Sequence, residues 1–293
     1  MSDVTALIPG RPGVPGAPGE YYGRPTLRLE SAHCWVEVLA VGGPRIIGFG
    51  LSGGGNVLCE TPQASWDHGH GLYELLGGHR LWFAPETSDC SIPDATGLTL
   101  APIADTAGPA VRLIGAVEAP TGVRKIIEVR LDPESAAVSL RHIIANEGSA
   151  TREIAPWAIT QLQLGGVATV ALAAPPTEHV LNPNQLLALW PYATWSDARL
   201  AIGERSLTVT ATPGAPFKIG CLSNSGVVSY LRAGVLFSKR FDPAVAAPHA
   251  DMGCNLEIYC DQRTIELESL GPLVRLAPGG SVTHDERWEL RRV

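Results

Sequence analysis

The sequence predicts an all-β protein built as one large antiparallel β domain. Short runs rich in Val, Ile, Leu and Thr recur along the chain, and several alternate with period two, which is typical of half-buried strands. Turn sequences separate these runs, among them VGGP, SGGGN, LGG, ATPGAP, LGP and APGG. Segments with helical periodicity are few and short. Many short strands divided by turns predict a sandwich or a barrel.

The predicted strands follow one another from residue 34 to the C-terminal region. Clear examples are CWVEVLAV (34–41), RKIIEVRL (124–131), AVSLRHIIAN (137–146), SLTVTAT (206–212), VVSYLRAGVLFSKRF (227–241), CNLEIYC (254–260) and SVTHDERWEL (281–290). PNQLLALW (183–190) has the best helical pattern and is predicted as a short helix. No linker divides the chain after residue 20, so residues 21–293 are predicted to form a single domain.

Residues 1–20 are predicted to form an extended arm. GRPGVPGAPG (10–19) contains three Gly-X-Pro triplets, too few for a collagen triple helix, and polyproline structure is the better interpretation. The arm either lies along the body of the protein or crosses a partner subunit, so a homo-oligomer is one interpretation. We expect residues 1–20 to be dispensable for the β domain, because proline lacks the donor that an internal strand needs.

The amino-acid composition indicates which kinds of binding partner and cellular compartment to expect. The chain has 293 residues, 45% of them hydrophobic and 17% charged, with a formal net charge of -7. An acidic chain is unsuited to nucleic acid or anionic membranes. The N-terminal sequence lacks a signal-peptide pattern, and no apolar run is long enough to span a membrane. The six cysteines form no CxxC pair, so we expect a cytoplasmic protein with reduced, mostly buried thiols and no cofactor.

IELESLGPL, residues 265–273, places two glutamates two positions apart in an apolar run. Successive side chains of a strand point to opposite faces. Glu266 and Glu268 are therefore predicted to share one face of a sheet. Paired carboxylates of this kind suit general acid–base chemistry, although they would equally satisfy neighbouring Lys or Arg side chains.

The segment WDHGHGLYELLGGHRLWFAPE, residues 66–86, brings histidines, Arg80 and Trp82 close to glycines that permit close backbone approach. His68 and His70 form an HxH pair, which is either a fragment of a metal site or part of a solvated loop. No matching third ligand is evident, so no metal is predicted.

Further candidates come from three later segments. In REIAPWAITQLQL (152–164), Trp157 and Gln161 fall on one face of an extended strand and Thr160 on the other. The alternative roles are core packing for Trp157 and an edge position for Gln161. FKIG and FSKRF contribute Lys218 and Lys239, for which surface salt bridges are the alternative.

These residue types together suit a small-molecule carbohydrate. Aromatic rings stack on the apolar face of a pyranose, while charged groups hydrogen-bond its hydroxyls. The Gly-rich SGGGN opens no helix and carries no Lys, which argues against a phosphate-binding loop. No GxSxG motif marks a serine hydrolase.

Several segments resemble a branch of bacterial proteins in the galactose mutarotase-like (aldose 1-epimerase-like) superfamily. In order, they are GGHRLWFAPE, APWAITQL, FKIG, GCNLEIY and IELESLGPLVRLAPGGSVTHDERWEL. The resemblance runs from about residue 25 to the C-terminal end, and its most specific part is the C-terminal third. It implies a large antiparallel β-supersandwich.

The resemblance also implies site residues. A glutamate near the C-terminus is the catalytic base of the mutarotases, and Glu268 stands at the matching position. GGHRLW is similar to a strand that lines the sugar site, which makes Arg80 a candidate for sugar binding. Mutarotases carry a histidine acid in a motif close to HTYF, whereas the corresponding PWAITQL places Thr160 or Gln161 there. His79 or His142 would have to replace that histidine.

The resulting expectation is an aldose 1-epimerase-type isomerase with Glu268 as general base. A non-catalytic carbohydrate-binding protein, or a lyase, glycosidase or biosynthetic tailoring enzyme, remains an alternative because fold does not determine function. The catalytic candidates are Glu268 and His79. The substrate-binding candidates are Arg80, Trp82, Trp157, Gln161, Lys218, Lys239 and Glu266.

Overall fold

The structure, a computed structural model, describes residues 14–94, 96–104, 106–173 and 181–293. Strands make up nearly all of its regular secondary structure. They form two large sheets and one two-stranded sheet, and every strand pair in them is antiparallel. The predicted all-β antiparallel fold is therefore confirmed.

The first sheet has eleven strands. In chain order they are β1 (Ala17–Tyr21), β2 (Arg24–Glu30), β3 (Cys34–Leu39), β4 (Arg45–Leu51), β7 (His79–Ala84), β12 (Arg152–Gln163), β14 (Leu187–Leu189), β17 (Phe217–Cys221), β20 (Leu256–Cys260), β21 (Thr264–Leu270) and β22 (Val274–Leu276). Across the sheet the order is β1-β2-β3-β4-β7-β12-β21-β20-β17-β14, and β22 pairs with β12.

The second sheet has ten strands. They are β8 (Thr99–Pro102), β9 (Ala110–Val117), β10 (Val123–Leu131), β11 (Ala137–Asn146), β13 (Val167–Ala171), β15 (Leu200–Ile202), β16 (Ser206–Thr210), β18 (Val227–Arg232), β19 (Val235–Phe241) and β23 (Ser281–Arg292). Their spatial order is β15-β16-β13-β18-β19-β23-β11-β10-β9-β8.

A hairpin of β5 (Glu60–Asp67) and β6 (Leu72–Gly77) forms the two-stranded sheet. Short 3₁₀ helices occupy Ser88–Ser91 and Asp251–Gly253. No helix in the described part of the chain is long and apolar enough to cross a membrane.

The two large sheets pack face to face around a shared apolar core. The ring of Phe49, on β4, lies 6.4 Å from that of Phe237 and 5.8 Å from that of Trp288, which belong to the second sheet. Inward-facing Val, Ile and Leu side chains of both sheets complete this core. Burial of such side chains is the main stabilising contribution in a β-sandwich.

Two sequence predictions need correction or refinement. The predicted helix at 183–190 is wrong, because Leu187–Leu189 form β14 and pair with β17; a short apolar run has no period that distinguishes the two structures. Residues 1–13 of the predicted arm lie outside the described residues, but Ala17–Tyr21 form β1 at the sheet edge, where Pro18 is tolerated. The six cysteines are buried, as predicted, and free.

Candidate functional site

A cleft of about 230 Å³ opens on the outer face of the first sheet. Its floor comes from β7, β12, β21, β20 and β17, and the β5–β6 hairpin forms one wall. The lining residues are Trp66, Leu75, Arg80, Trp82, Glu86, Trp157, Ile159, Gln161, Tyr192, Lys218, Tyr259, Asp261, Arg263, Thr264, Glu266 and Glu268.

Strand register explains why these side chains meet. Glu266 pairs with Gln161 and Glu268 with Ile159 across β21 and β12. Arg80 stands opposite Ile159 on the other side of β12. Because cross-strand partners point to the same face, alternate residues of all three strands line the cleft. Seven of the nine predicted site residues lie here, namely Arg80, Trp82, Trp157, Gln161, Lys218, Glu266 and Glu268.

Two donors hold one oxygen of the Glu268 carboxyl group. Trp157 Nε1 donates to Oε2 over 2.6 Å, and Lys218 Nζ donates to the same atom over 2.8 Å. The other oxygen, Oε1, is buried and has no hydrogen-bond partner. Glu268 is only 1% exposed. The carboxyl group is therefore fixed at one oxygen and has a free lone pair at the other.

Lys218 links Glu268 to a second buried carboxyl group. Its Nζ lies 2.7 Å from Oε2 of Glu257, which pairs with Glu268 across β20 and β21. The ammonium also lies 4.6 Å from the ring centres of both Trp157 and Trp190. Burial alone would lower the pKa of Lys218, but the two carboxylates outweigh it and raise that pKa. Burial raises the pKa of Glu257 well above its ordinary value.

Glu266 forms a second cluster of polar side chains in the cleft, together with Gln161 and Arg80. Its Oε1 accepts from Gln161 Nε2 over 2.6 Å and from Arg80 Nη2 over 3.4 Å. Burial raises the pKa of Glu266, with Arg80 opposing and Glu268 reinforcing the shift. The Arg80 guanidinium stacks over Trp82 at 4.6 Å, and its Nε and Nη1 have no partner. Gln161 Oε1 is likewise unpaired. Both side chains that hold Glu266 thus also carry unpaired polar atoms.

Gly77 and Gly78 allow β7 to enter the sheet at this point. Both have positive φ, 85° and 70°. A Cβ at Gly77 would lie 2.1 Å from the Cys59 oxygen, and one at Gly78 would lie 2.1 Å from the Ile46 oxygen. Any other residue would clash with backbone. The GG of GGHRLW is therefore required for the strand that carries Arg80.

The rim of the cleft includes residues that sequence reasoning did not identify. Trp66 is 39% exposed, and its ring stacks on Tyr73 at 4.4 Å. Tyr192, in the segment between β14 and β15, is half-exposed. Glu86 follows β7 directly after Pro85 and also lines the cleft. Glu86 ends the segment GGHRLWFAPE, and its closeness to Arg80 in this segment is the sequence feature that points to it. Nothing in the spacing indicated Tyr192.

His79 and Lys239 are not brought to the cleft. Both are completely buried in the core between the sheets. His79 precedes Arg80 on β7, so strand alternation turns it to the opposite face. Lys239 comes from the second sheet and donates to the backbone oxygens of Ala158 and Leu267 over 2.8 and 2.9 Å. These positions separate both residues from any ligand of the cleft.

Buried histidines in the core form a chain of hydrogen bonds that includes His79, His142 and His284. His142 Nδ1 lies 2.9 Å from the backbone oxygen of His284, so Nδ1 carries the proton and Nε2 accepts. His79 Nε2, 2.8 Å away, then donates to it, and His79 Nδ1 accepts from Thr160 Oγ1 over 2.9 Å. Lys239 lies 2.7 Å from Glu286. Each histidine is consistent with the neutral form.

Burial explains the charge states of this chain. It lowers the pKa of His79 well below the usual range, lowers that of His142, and lowers that of His284 to about 3. Burial would raise the pKa of Glu286, but the ammonium of Lys239 beside it opposes this effect, and that pKa is lowered. The core therefore contains one compensated ion pair and neutral imidazoles.

His79, His142 and Glu286 form the group of metal-type ligands found among the described residues. Their arrangement does not fit a metal. The two Nε2 atoms are 2.8 Å apart, a hydrogen-bond distance, whereas two nitrogens on a tetrahedral zinc lie about 3.3 Å apart. Glu286 is already paired with Lys239. His68 of the HxH pair contacts the Ser88 oxygen at 2.6 Å and does not line the cleft.

Comparison with solved structures identifies the architecture. A putative mutarotase from Salmonella typhimurium superposes with a TM-score of 0.61 at 8% identity, over 94% of this chain and 93% of that one. A putative aldose 1-epimerase from Escherichia coli K12 gives 0.56 at 13% identity, over 92% and 99%. The chain has the galactose mutarotase-like fold. This confirms the β-supersandwich that the sequence resemblance implied.

The galactose mutarotase-like fold also occurs within larger proteins. A TPR-domain containing protein from Parabacteroides distasonis matches with a TM-score of 0.61 at 12% identity, and this chain spans 47% of its length. No protein-family model and no curated protein sequence matches the chain. At these identities the likeness concerns the fold, and function has to be argued from the cleft itself.

Proposed function

We propose that the protein binds a small-molecule carbohydrate in the cleft and interconverts its anomers, as an aldose 1-epimerase-type isomerase. The observation that carries this proposal is the geometry of Glu268. Trp157 and Lys218 donate hydrogen bonds to one carboxylate oxygen of Glu268, which lines the cleft. The other oxygen is buried and has no hydrogen-bond partner. A general base needs a positioned carboxylate with an oxygen that no other protein group engages.

In the proposed reaction, Glu268 Oε1 takes the proton from the anomeric hydroxyl. The C1–O5 bond breaks as an acid protonates the ring oxygen, and an open-chain aldehyde forms. Rotation about C1–C2 and reclosure on the other face of the carbonyl give the opposite anomer, and both protons return. A positioned base or acid each typically contributes on the order of 10²–10⁴ to the rate.

The remaining lining residues suit a polyol. The unpaired Nε and Nη1 of Arg80 and Oε1 of Gln161 are buried in the floor of the cleft. A sugar hydroxyl that reaches them would accept from Arg80 and donate to Gln161. The indole rings of Trp157 and Trp82 form part of the same floor and can pack against the apolar face of a pyranose. Glu266, held by Gln161 and Arg80, positions these two side chains.

NMR exchange spectroscopy on free aldoses tests the proposal. The wild type should accelerate exchange between the α and β anomer signals of at least one aldose above the spontaneous rate. Glu268→Gln should remove the acceleration while keeping the thermal unfolding transition. Glu289→Gln, at an exposed position on β23 of the other sheet, is the control and should behave as wild type. Full activity of Glu268→Gln would remove this residue from the mechanism.

A carbohydrate-binding protein without catalysis is the second candidate. One observation favours it: no histidine is found among the described residues that line the cleft, so the acid expected from the mutarotase resemblance is missing. This candidate predicts saturation-transfer signals from a bound aldose with no acceleration of anomer exchange. The same NMR samples therefore distinguish the two functions.

A further inference from the structure

We propose that Glu86 is the general acid of the cleft and donates the proton to the ring oxygen while Glu268 accepts one from the anomeric hydroxyl. This inference rests on the proposed function. It assigns the acid's role to a carboxyl group on a loop, in place of a histidine on a central strand.

Position is the first argument for Glu86. It follows β7 after Pro85 and lines the same cleft as Glu268. Its side chain is exposed to solvent on one side. A carboxyl group at the mouth of a cleft can exchange its proton with water while the cleft is empty, whereas one enclosed in the core cannot.

Freedom from other partners is the second argument. Of the other carboxyl groups that line the cleft, Glu268 is held by Lys218 and Trp157, and Glu266 by Gln161 and Arg80. Asp261 accepts from the backbone nitrogens of Arg263 and Thr264 over 2.7 and 3.0 Å. In the part of the chain that the structure describes, no hydrogen bond or ion pair engages the Glu86 carboxyl group. It alone among these four is free to turn toward a ligand.

Electrostatics support the assignment. The walls of the cleft desolvate the Glu86 carboxyl group and raise its pKa, which the charges of Glu268 and Asp251 raise further. Lys218 on β17 and Arg80 on β7 oppose this shift in part. The phenol of Tyr192 also faces this region, with a pKa raised to about 12. Glu86 therefore retains its proton to higher pH than an ordinary glutamate.

The proton balance of the step closes without another reactant. Glu86 gives its proton to O5, Glu268 accepts the proton of the O1 hydroxyl, C1–O5 breaks and C1=O1 forms. In ring closure the O5 hydroxyl attacks C1 and returns its proton to the Glu86 carboxylate. Glu268 returns the other proton to O1, and both residues regain their starting states.

The test compares Glu86→Gln, Glu86→Asp and the Glu289→Gln control by NMR exchange spectroscopy between pH 5 and pH 9. Glu86→Gln should lower the maximal exchange rate on the order of 10²–10⁴-fold, while the Kd for the aldose from ligand-observed titration stays within about 2-fold. Its pH profile should lose the fall at high pH that marks loss of the acid's proton in the wild type. Glu86→Asp should recover part of the rate, because it restores an acid.

Each outcome has a distinct meaning. A wild-type rate and profile in Glu86→Gln, together with loss of activity in Glu268→Gln, would overturn the assignment of Glu86 and leave the proposed function standing. Absence of accelerated exchange in the wild type would overturn the proposed function, and the role of Glu86 with it. A parallel loss of rate and of affinity, with the high-pH fall retained, would identify Glu86 as a binding residue and also overturn its role as acid.

Discussion

Glu257 and Glu268 are direct cross-strand partners, and the ammonium of Lys218 lies 2.7 Å from one carboxyl group and 2.8 Å from the other. Like charges placed opposite each other across two strands repel. Lys218 offsets this repulsion, and the raised pKa of Glu257 indicates that the proton stays on that residue to higher pH than on an ordinary glutamate. The base of the proposed reaction is therefore part of a three-residue unit.

Removing Lys218 should destabilise this unit strongly. Lys218→Met leaves two neighbouring buried carboxyl groups without their cation, and breaking a buried pair in this way costs about 3–5 kcal/mol. Glu257→Gln is the matched comparison, because the amide resembles a protonated carboxyl group, and it should cost less than about 1.5 kcal/mol, the upper range of a neutral hydrogen bond. Urea denaturation measures both free energies of unfolding. Equal costs would contradict the raised pKa of Glu257.

The indole N–H of Trp157 should matter for the chemistry as well as for stability. Trp157→Phe keeps an aromatic ring but removes the 2.6 Å hydrogen bond to Glu268. The control is Trp82→Phe, which removes a 3.0 Å bond from another indole in the cleft, to Tyr73. A bond to a charged group contributes about 1.5–3 kcal/mol, more than a neutral one. Trp157→Phe should therefore reduce the exchange rate more than Trp82→Phe, and the reverse order would argue against a fixed base.

Arg80 should contribute to ligand affinity. Arg80→Ala removes two unpaired donors from the floor of the cleft and should weaken aldose binding by about 1.5–3 kcal/mol, the range of a charge-assisted hydrogen bond. Arg80→Lys keeps the charge but loses the planar group that stacks on Trp82. Its affinity for the aldose should lie between those of the wild type and Arg80→Ala. Ligand-observed NMR titration provides the affinities. An unchanged Kd in Arg80→Ala would mean that this residue is structural.

The three core histidines should make stability depend on pH. Their pKa values are lowered in the folded protein, so below about pH 6.5 the unfolded chain binds protons that the folded chain does not. Stability from these groups is full above that pH and falls as the pH decreases toward the folded values. Three protons give a slope of up to about 4 kcal/mol per pH unit near pH 5.

Urea denaturation between pH 5 and pH 7.5 measures this slope. Replacing one exposed histidine, His33→Gln, should leave the slope unchanged, because this residue does not belong to the buried chain. His142→Gln should reduce the slope by about one proton, although it also lowers the absolute stability. A stability that is flat over this range would show that these histidines bind protons equally in the folded and unfolded chain, and would contradict the lowered pKa values.

Strand alternation made a large part of the cleft predictable. The shared face of Glu266 and Glu268, and that of Trp157 and Gln161, follow from period two alone, and the register confirms both. The same rule, applied to GGHRLW, separates His79 from Arg80. The core position of His79 was therefore predictable from the alternation of side chains along this strand.

Other parts of the site depend on contacts between distant segments. The pairing of Glu257 with Glu268 and the bridge from Lys218 arise from the order of β17, β20 and β21, which no local pattern specifies. Lys239 resembles Lys218 in sequence, since each lies in a strand-like run shortly after a phenylalanine, one residue after Phe217 for Lys218 and two after Phe237 for Lys239. Only the assembly of two sheets distinguishes the lysine of the cleft from the lysine of the core.

The Lys239 ammonium has a consequence for how this protein can evolve. It holds the backbone oxygens of Ala158 and Leu267, and the neighbours of these two residues in the chain, Trp157 and Glu268, face the cleft on the other side of the same sheet. The two faces of this strand pair therefore cannot vary independently. Mutational routes to a new ligand specificity should be open on the loops that carry Glu86 and Tyr192, and closed along the strands beneath them.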